Sequence, residues 1–354
     1  MKDKMTDELP PSIISRPSAW IGNELAKNTG LWHSRWSDLE IEQLEYAADQ
    51  FLKNTGELGT ISKETFPLPL LENRLKELQK KLTSGIGFEL ISGLPIETYS
   101  VEKAATIFCG LGAHLGRARS QNAMGHILGH VRDIGADASD PNARIYQTSE
   151  RQSFHTDSAD VVALLCLRTA KQGGKSLLVS TETIYNEMNR LRPDLVPLLF
   201  EPIATDRRGE IPAGEKPYFE IPVLSWHRGH LTGMYQRQYI DSAQRFDGAL
   251  HLTDKHIEAL DLFDSLANDP KLHICMQLEL GDLQFVYNHS QLHDRTGFTD
   301  WPEPEKRRHL LRLWLSMPDD RPLPDCFKQR FGSIDIGNRG GIITRDTKPN
   351  VSLV

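Results

Sequence analysis

From residue 143 to residue 315 the chain is a succession of short apolar or alternating runs punctuated by Gly, Pro and Asp, and this punctuation constrains the fold more than any other feature of the 354 residues. The runs cover 144–148, 161–167, 176–179, 231–235, 271–279, 283–287 and 310–315. Segments this short cannot sustain helices of their own, and turn residues between them favour antiparallel neighbours, so the expectation is a sandwich or barrel of antiparallel strands. Two stretches break the pattern. Residues 181–191 and 253–268 each carry Thr near the start and amphipathic spacing, which predicts helices packed outside the sheets.

Upstream, residues 1–85 read as a mostly helical lead-in. Ser37-Asp38-Leu39-Glu40 matches a capping box, and Leu39, Leu44, Ala47, Ala48 and Phe51 follow at helical spacing, which predicts a helix to about Lys53. Leu71, Leu75, Leu78 and Leu82 form a second stripe ending near Gly85. The period then changes: 87–91 has the bulk of a strand, and 100–115 returns to a helix. With no internal repeat, low-complexity tract or long linker, one domain over 1–354 is expected, with a core over 86–316 and a tail over 317–354.

Composition narrows the function classes. A hydrophobic fraction of 39% and a charged fraction of 25% fit a soluble globular chain, and a net charge of −7 disfavours a dedicated nucleic-acid binder. The first residues lack the apolar stretch of a signal peptide, and no run of about 18 apolar residues occurs, so no membrane partner and a cytoplasmic setting are expected. Cys109, Cys166, Cys275 and Cys326 contain no Cys-x-x-Cys pair and read as reduced, mostly buried thiols. A small-molecule substrate is the better expectation; homo-oligomerisation stays open.

Three motifs carry chemistry. In Phe154-His155-Thr156-Asp157 an imidazole and a carboxylate stand two residues apart, which on a strand puts both on one face. His-x-Asp alone is weak and is more often a surface or turn feature; it gains weight from Leu292-His293-Asp294-Arg295-Thr296 far downstream. Two His and one carboxylate leave open positions on a metal, as a non-haem iron oxygenase needs. In Arg307-Arg308-His309-Leu310-Leu311-Arg312-Leu313-Trp314-Leu315, a strand would send Arg308 and Arg312 to the same side, and a guanidinium in a cleft recognises a carboxylate by a two-pronged hydrogen bond. Taken alone, Arg-Arg-His is an ordinary solvated basic patch; the apolar run that follows weakens that reading. In Gly173-Gly174-Lys175-Ser176 a glycine turn enters a strand, and Ser176 is either an ordinary strand serine or a donor to the same carboxylate as Arg308.

In this order and at these separations the motifs resemble the taurine dioxygenase (TauD/TfdA-like) family of iron(II)/2-oxoglutarate-dependent oxygenases, over roughly 85–316. The resemblance implies a mainly β fold with helices (α+β): a double-stranded β-helix, or jelly roll, with a helical lead-in and helical inserts. It implies Fe(2+) held by His155, Asp157 and His293, and 2-oxoglutarate held by Arg308 with Ser176 beside it, where threonine is familiar. Arg312 would lie nearer the iron, toward the keto acid or an anionic substrate. The implied reaction consumes O2 and 2-oxoglutarate, releases succinate and CO2, and hydroxylates a substrate, with desaturation or ring closure open. Asp157 argues against halogenation, since halogenases leave that position vacant.

Other readings remain beside this one: a zinc-type hydrolase or isomerase on the same ligands, or a non-catalytic 2-oxoglutarate-binding jelly roll. The pairs His126/His130 and His227/His230 share helical spacing but sit among glycines, and His289 rivals His293 for the strand face. For the substrate, Tyr146, Tyr235, Arg237 and Arg312 are the candidates, with Arg207, Arg208 and Arg339 as further polar residues; a small anionic or amino-acid-like compound is expected.

Overall fold

The computed structural model describes residues 10–54, 56–137 and 144–353; residues 1–9 of the lead-in, Ala143 at the head of the strand-rich region and the last residue of the tail lie outside them. Two facing sheets form the centre. The major sheet runs in the order His33–Arg35, Phe88–Ser92, Leu283–Tyr287, Val161–Arg168, His309–Ser316 and Arg117–Ala118, and Leu128–Val131 also pairs with His309–Ser316. The minor sheet runs Ile274–Met276, Ser176–Ser180, Gln291–Arg295, Gln152–His155. All these pairings are antiparallel except His33–Arg35 with Phe88–Ser92. The result is a jelly roll with mixed α and β content.

Period-two alternation decides what each strand sends inward. Leu311, Leu313 and Leu315, with Ala163 and Leu165 of the neighbouring strand, face outward and pack under the helices Asp38–Asn54, Glu72–Thr83 and Val101–Leu115. Leu310, Val162, Leu164 and Cys166 face the space between the sheets, and so do Arg312 and Trp314. Each buried aliphatic side chain contributes about 2 kcal/mol, and a one-residue slip of His309–Ser316 would drive Arg312 into the apolar layer in place of leucines. The leucine stripe thereby fixes where the arginine points.

The minor sheet repeats this logic. Phe154, Leu177, Val179 and Leu292 pack against the helices Thr181–Leu191 and Asp254–Ala267, which lie outside the sheet as their spacing predicted. Ser176, His155 and His293 face inward. At the lead-in, Ser37 and Glu40 bond reciprocally, the Ser37 N–H to the Glu40 carboxylate at 2.8 Å and the Glu40 N–H to the Ser37 hydroxyl at 3.4 Å.

Several expected elements differ. Residues 144–148 are not a strand but a 3-10 turn, Ile145–Gln147, closed by the Thr148 hydroxyl donating to the Ile145 carbonyl at 2.9 Å, a local bond that competes with a sheet ladder. The run 271–279 pairs only over Ile274–Met276. The run 231–235 becomes His230–Gly233 in a hairpin with Leu224–His227, because the Tyr235 carbonyl turns to accept the Thr156 N–H at 2.8 Å. Of the four thiols, Cys109 and Cys166 are buried, Cys326 is half-buried and Cys275 is exposed. Among the described residues no helix is long and apolar enough to cross a membrane.

The tail beyond Ser316 is tied down. Arg339, with no exposure, donates through Nε to Asp160 and through Nη2 to Asp320, both at 2.7 Å, and Asp160 also accepts from His289 at 2.8 Å. Asp160, His289 and Asp320 bring three donor groups together, but Arg339 already pairs with both carboxylates, so this is a structural ion cluster. It also removes His289 as a rival to His293.

Candidate metal centre

His155 ends one strand of the minor sheet and is in register with His293 on its antiparallel neighbour. Directly opposed residues share a face and bring their side chains together, and the two imidazole centroids lie 4.1 Å apart. Asp157 is not on the strand, as its spacing had suggested: the strand ends at His155, the Thr156 N–H turns to Tyr235, and the Asp157 N–H donates to Asn288 Oδ1 at 3.2 Å. From that bend its carboxylate reaches between the imidazoles, 3.8 Å from His155 Nε2 and 3.7 Å from His293 Nε2.

These separations exceed hydrogen-bonding distance, yet three ligand atoms converge within 4.8 Å of one another. Donors about 2 Å from a common ion and on one face of it stand about 3 Å apart, so the set needs to close in by under about 1 Å to hold a divalent metal with the opposite face open. The tautomer fits too. His155 Nδ1 donates to the Ser153 carbonyl at 2.8 Å, leaving Nε2 as a lone pair, which Gln152 meets with its amide at 2.8 Å. Nδ1 of His293 is buried without a protein partner among the described residues.

Charge prepares the ligands. Burial, and then the neighbouring His293, push His155 down to about 3, which keeps it neutral. Burial alone would raise the Asp157 carboxyl, but Arg312 and the imidazoles outweigh it and hold the group ionised well below the usual range. Trp314 Nε1 donates to Asp157 Oδ2 at 2.8 Å and Arg312 Nη1 approaches it at 3.4 Å. Arg312 is itself fixed by Gln121 at 2.7 Å and lies over the rings of Tyr146 and Trp314 at 4.6 and 5.0 Å.

Two lobes flank the triad. One is lined by His155, His293, Ser176, Gln284, Arg308 and Arg312. Here Arg308 is buried with its Nη1 unpartnered among the described residues, and burial draws it down to about 10. A buried guanidinium with an unused donor is the recognition element a carboxylate needs. Gly174 makes room for it: its φ is +69°, and a Cβ there would stand 3.0 Å from Arg308 Nε. The Ser176 hydroxyl, in the same lobe, donates to Gln284 at 3.0 Å.

The second lobe lies on the Asp157 side and is lined by Tyr146, Gln236, Tyr239, Arg312, Arg144 and Arg330. Of the substrate candidates, Tyr146 and Arg312 are brought here. Tyr235 and Arg237 are not. The Tyr235 hydroxyl donates to Asp264 at 2.7 Å in the apolar layer outside the sheet, and Arg237 is bound to Asp241, Asp261 and Asp264. Arg207 is buried against the Lys216 and Gln329 carbonyls, Arg208 lies over Tyr239 at 4.9 Å, and Arg339 belongs to the ion cluster. Sequence reasoning assigned no role to Gln121, Arg144 and Arg330; Gln121 and Arg330 stand outside every strand-like run, and Arg144 only heads the run 144–148 that turns out not to be a strand. Trp314, by contrast, had a signal in its inward parity with Arg312.

A family model described as taurine catabolism dioxygenase TauD, TfdA family, matches residues 52–314. The chain belongs to the TauD/TfdA family. It is 32% identical over 292 residues to FR-33289 synthase of Streptomyces rubellomurinus, covering 81% of this chain and 85% of that protein. It is 30% identical over 312 residues to the taurine hydroxylase-like protein SAT17 of Stachybotrys chartarum, covering 85% and 79%. The fold matches that of asparagine oxygenase in complex with Fe(II), 2S,3S-3-hydroxyasparagine and succinate, with a TM-score of 0.62 and 18% identity over 80% of this chain and 93% of that one. As a TauD/TfdA member the chain is an iron(II)- and 2-oxoglutarate-dependent dioxygenase, an oxidoreductase acting on a small molecule.

Proposed function

We propose that His155, Asp157 and His293 hold the iron, that Arg308 and Ser176 hold the distal carboxylate of 2-oxoglutarate, and that the lobe beside Asp157 takes a small anionic or amino-acid-like substrate. The observation that carries this reading is the juxtaposition of a three-donor set with a buried arginine whose Nη1 has no partner among the described residues and which lines the same lobe as His155 and His293. When bound, iron and 2-oxoglutarate together supply an oxidant for an unactivated C–H bond, with succinate and CO2 as co-products.

The protein's own groups do the rest. Trp314 and Arg312 keep Asp157 ionised and oriented, Gln121 holds Arg312, and Tyr146 lines both lobes. The likeness to asparagine oxygenase and the arginines around this lobe both favour a polar, charged substrate. Residues 1–354 act as one oxygenase domain in this reading, in the cytoplasm and without nucleic-acid or membrane partners.

The test is spectroscopic. Anaerobic protein with ferrous iron and 2-oxoglutarate should develop a weak visible charge-transfer band, absent in His155→Ala and weakened in Arg308→Ala. A wild-type protein that gives no band and consumes no keto acid would overturn the assignment in favour of a zinc-type hydrolase, and a band never coupled to substrate-dependent succinate would favour a binding protein.

A further inference from the structure

Resting on that oxygenase reading, we propose that Arg330 selects the substrate by binding an oxyanion carried at the end remote from the carbon that is oxidised. Arg330 comes from the tail, on the short helix Lys328–Phe331, and enters the wall of the lobe that contains Asp157. Its other side lines an open cleft of about 1170 Å³ between the lead-in, the major sheet and the tail. The side chain therefore stands between the metal-side lobe and the solvent-connected cleft.

Its bonding is incomplete. Nε donates to the Ser158 hydroxyl at 2.6 Å and the guanidinium lies 5.4 Å from the Phe219 ring centroid. Among the described residues no carboxylate lies within ion-pairing distance of it, whereas its neighbours are paired: Arg144 with Glu210, Arg207 with Glu215, Arg339 with Asp160 and Asp320. Those same neighbours, Arg144 and Arg207, repel it, each by more than the Asp157 carboxylate, which is not in contact with it, attracts it. A guanidinium hemmed in by protein, next to like charge and with no carboxylate in direct contact, is costly to keep; an arriving anion lowers the cost. Contact with Ser158 and Phe219 alone would not require a permanent charge.

Arg312 is poorly placed for this role. Its Nε is committed to Gln121, its Nη1 faces Asp157, and its plane lies over Tyr146 and Trp314, so it anchors the region next to the metal. Arg330 supplies a second anchor on a different wall element, with Tyr239 and Gln236 lining the same lobe. Two anchors at opposite ends would fix which carbon faces the metal. The chemistry recognised is an oxyanion, whether carboxylate, sulfonate or phosphonate.

The experiment titrates the anaerobic Fe(II)/2-oxoglutarate protein with acetate, methanesulfonate and methylphosphonate at constant ionic strength, by calorimetry, recording the visible band in the same samples. Saturable binding of at least one probe is expected, weakened about tenfold or more in Arg330→Gln, about 1.4 kcal/mol. Arg330→Lys, which keeps charge but loses the planar fork, should fall between, and Arg345→Gln, an exposed arginine, should match wild type. The order of the three probes identifies the group. Equal binding by wild type and Arg330→Gln, or no binding of any probe by wild type at millimolar concentration, overturns the inference. If Arg330→Gln fails to fold, Arg330→Lys decides, and binding at wild-type strength there is the overturning result. An intact band with binding indifferent to Arg330 sinks this inference alone, whereas a wild type without a band sinks the oxygenase reading beneath it.

Discussion

His155 and His293 face each other in register across two antiparallel strands, their rings 4.1 Å apart, with the Asp157 carboxylate set between them from a bend outside the ladder. Two of the proposed ligands are thus held by sheet geometry and the third by side-chain bonds. Perturbing the third ligand's supports should change metal affinity while leaving the fold intact.

Trp314→Phe tests that division. The substitution keeps an inward aromatic ring but removes the N–H that reaches Asp157 at 2.8 Å. Losing such a supporting bond lowers metal affinity by roughly 10- to 100-fold. Titration of the visible band with ferrous iron should show that loss with an unchanged near-UV circular dichroism spectrum.

Gly174→Ala addresses the co-substrate. The residue sits at φ +69°, and its new Cβ would press on Arg308 Nε at 3.0 Å. A guanidinium displaced from a charge-assisted pair forfeits about 1.5–3 kcal/mol, so the KM for 2-oxoglutarate should rise at least tenfold in steady-state assays of succinate release. An unchanged KM would place the keto-acid carboxylate elsewhere.

Arg237→Gln is expected to be nearly silent in kinetics, with kcat and substrate KM within about twofold of wild type. Arg237 binds three carboxylates outside the lobe, partly in contact with solvent, and such pairs contribute about 1 kcal/mol or less. A strong KM effect would return it to the substrate-binding set.

Arg339→Met should be severe for stability. It leaves Asp160 and Asp320 buried together without their cation, and breaking a buried pair from one side costs about 3–5 kcal/mol. Urea unfolding of the metal-free protein should show the shift in midpoint.

His309 gives a pH signature. Burial, and then the adjacent His130 and Arg168, push its imidazole down to about 3, against about 6.5 for a free side chain. The folded state therefore favours the neutral ring, so its contribution to stability is complete above about pH 6.5 and is lost as pH falls toward 3. Between about pH 6.5 and 5 the unfolding free energy of metal-free protein should drop by up to about 1.4 kcal/mol per pH unit from this group, and His309→Gln should flatten that slope. Identical slopes would mean that the ring is charged in the fold.

The sequence made the inward-facing residues readable because they sit on strands buried on both faces. Period two placed Arg312 and Trp314 opposite Leu311 and Leu313, and short motifs drew attention to His155, His293, Arg308 and Ser176, which the fold gathers around one lobe, and to Asp157, which meets the two imidazoles from its other side. Where side-chain bonds compete with the ladder, the pattern misled: 145–147 closes a turn, and Asp157 leaves its strand. Tyr235 and Arg237 looked like pocket residues by type, but the partner that explains them, Asp264, lies on a distant helix. Arg144, Gln121 and Arg330 were unreadable for the same reason, since their roles depend on long-range placement and not on local periodicity.

Arg339 and Arg330 sit nine positions apart in the tail, past the end of the TauD/TfdA match at 314, one clamping that segment to the sheet and the other reaching toward the metal. Anchorage, and the selectivity proposed for Arg330, are thus carried on a single strip of chain beyond the family match. A lineage can rewrite that strip without touching the oxidising machinery, and an engineer can do the same: grafting 317–353 between relatives, with the Asp160 contact kept, is a direct route to exchanging substrate preference on a constant oxygenase.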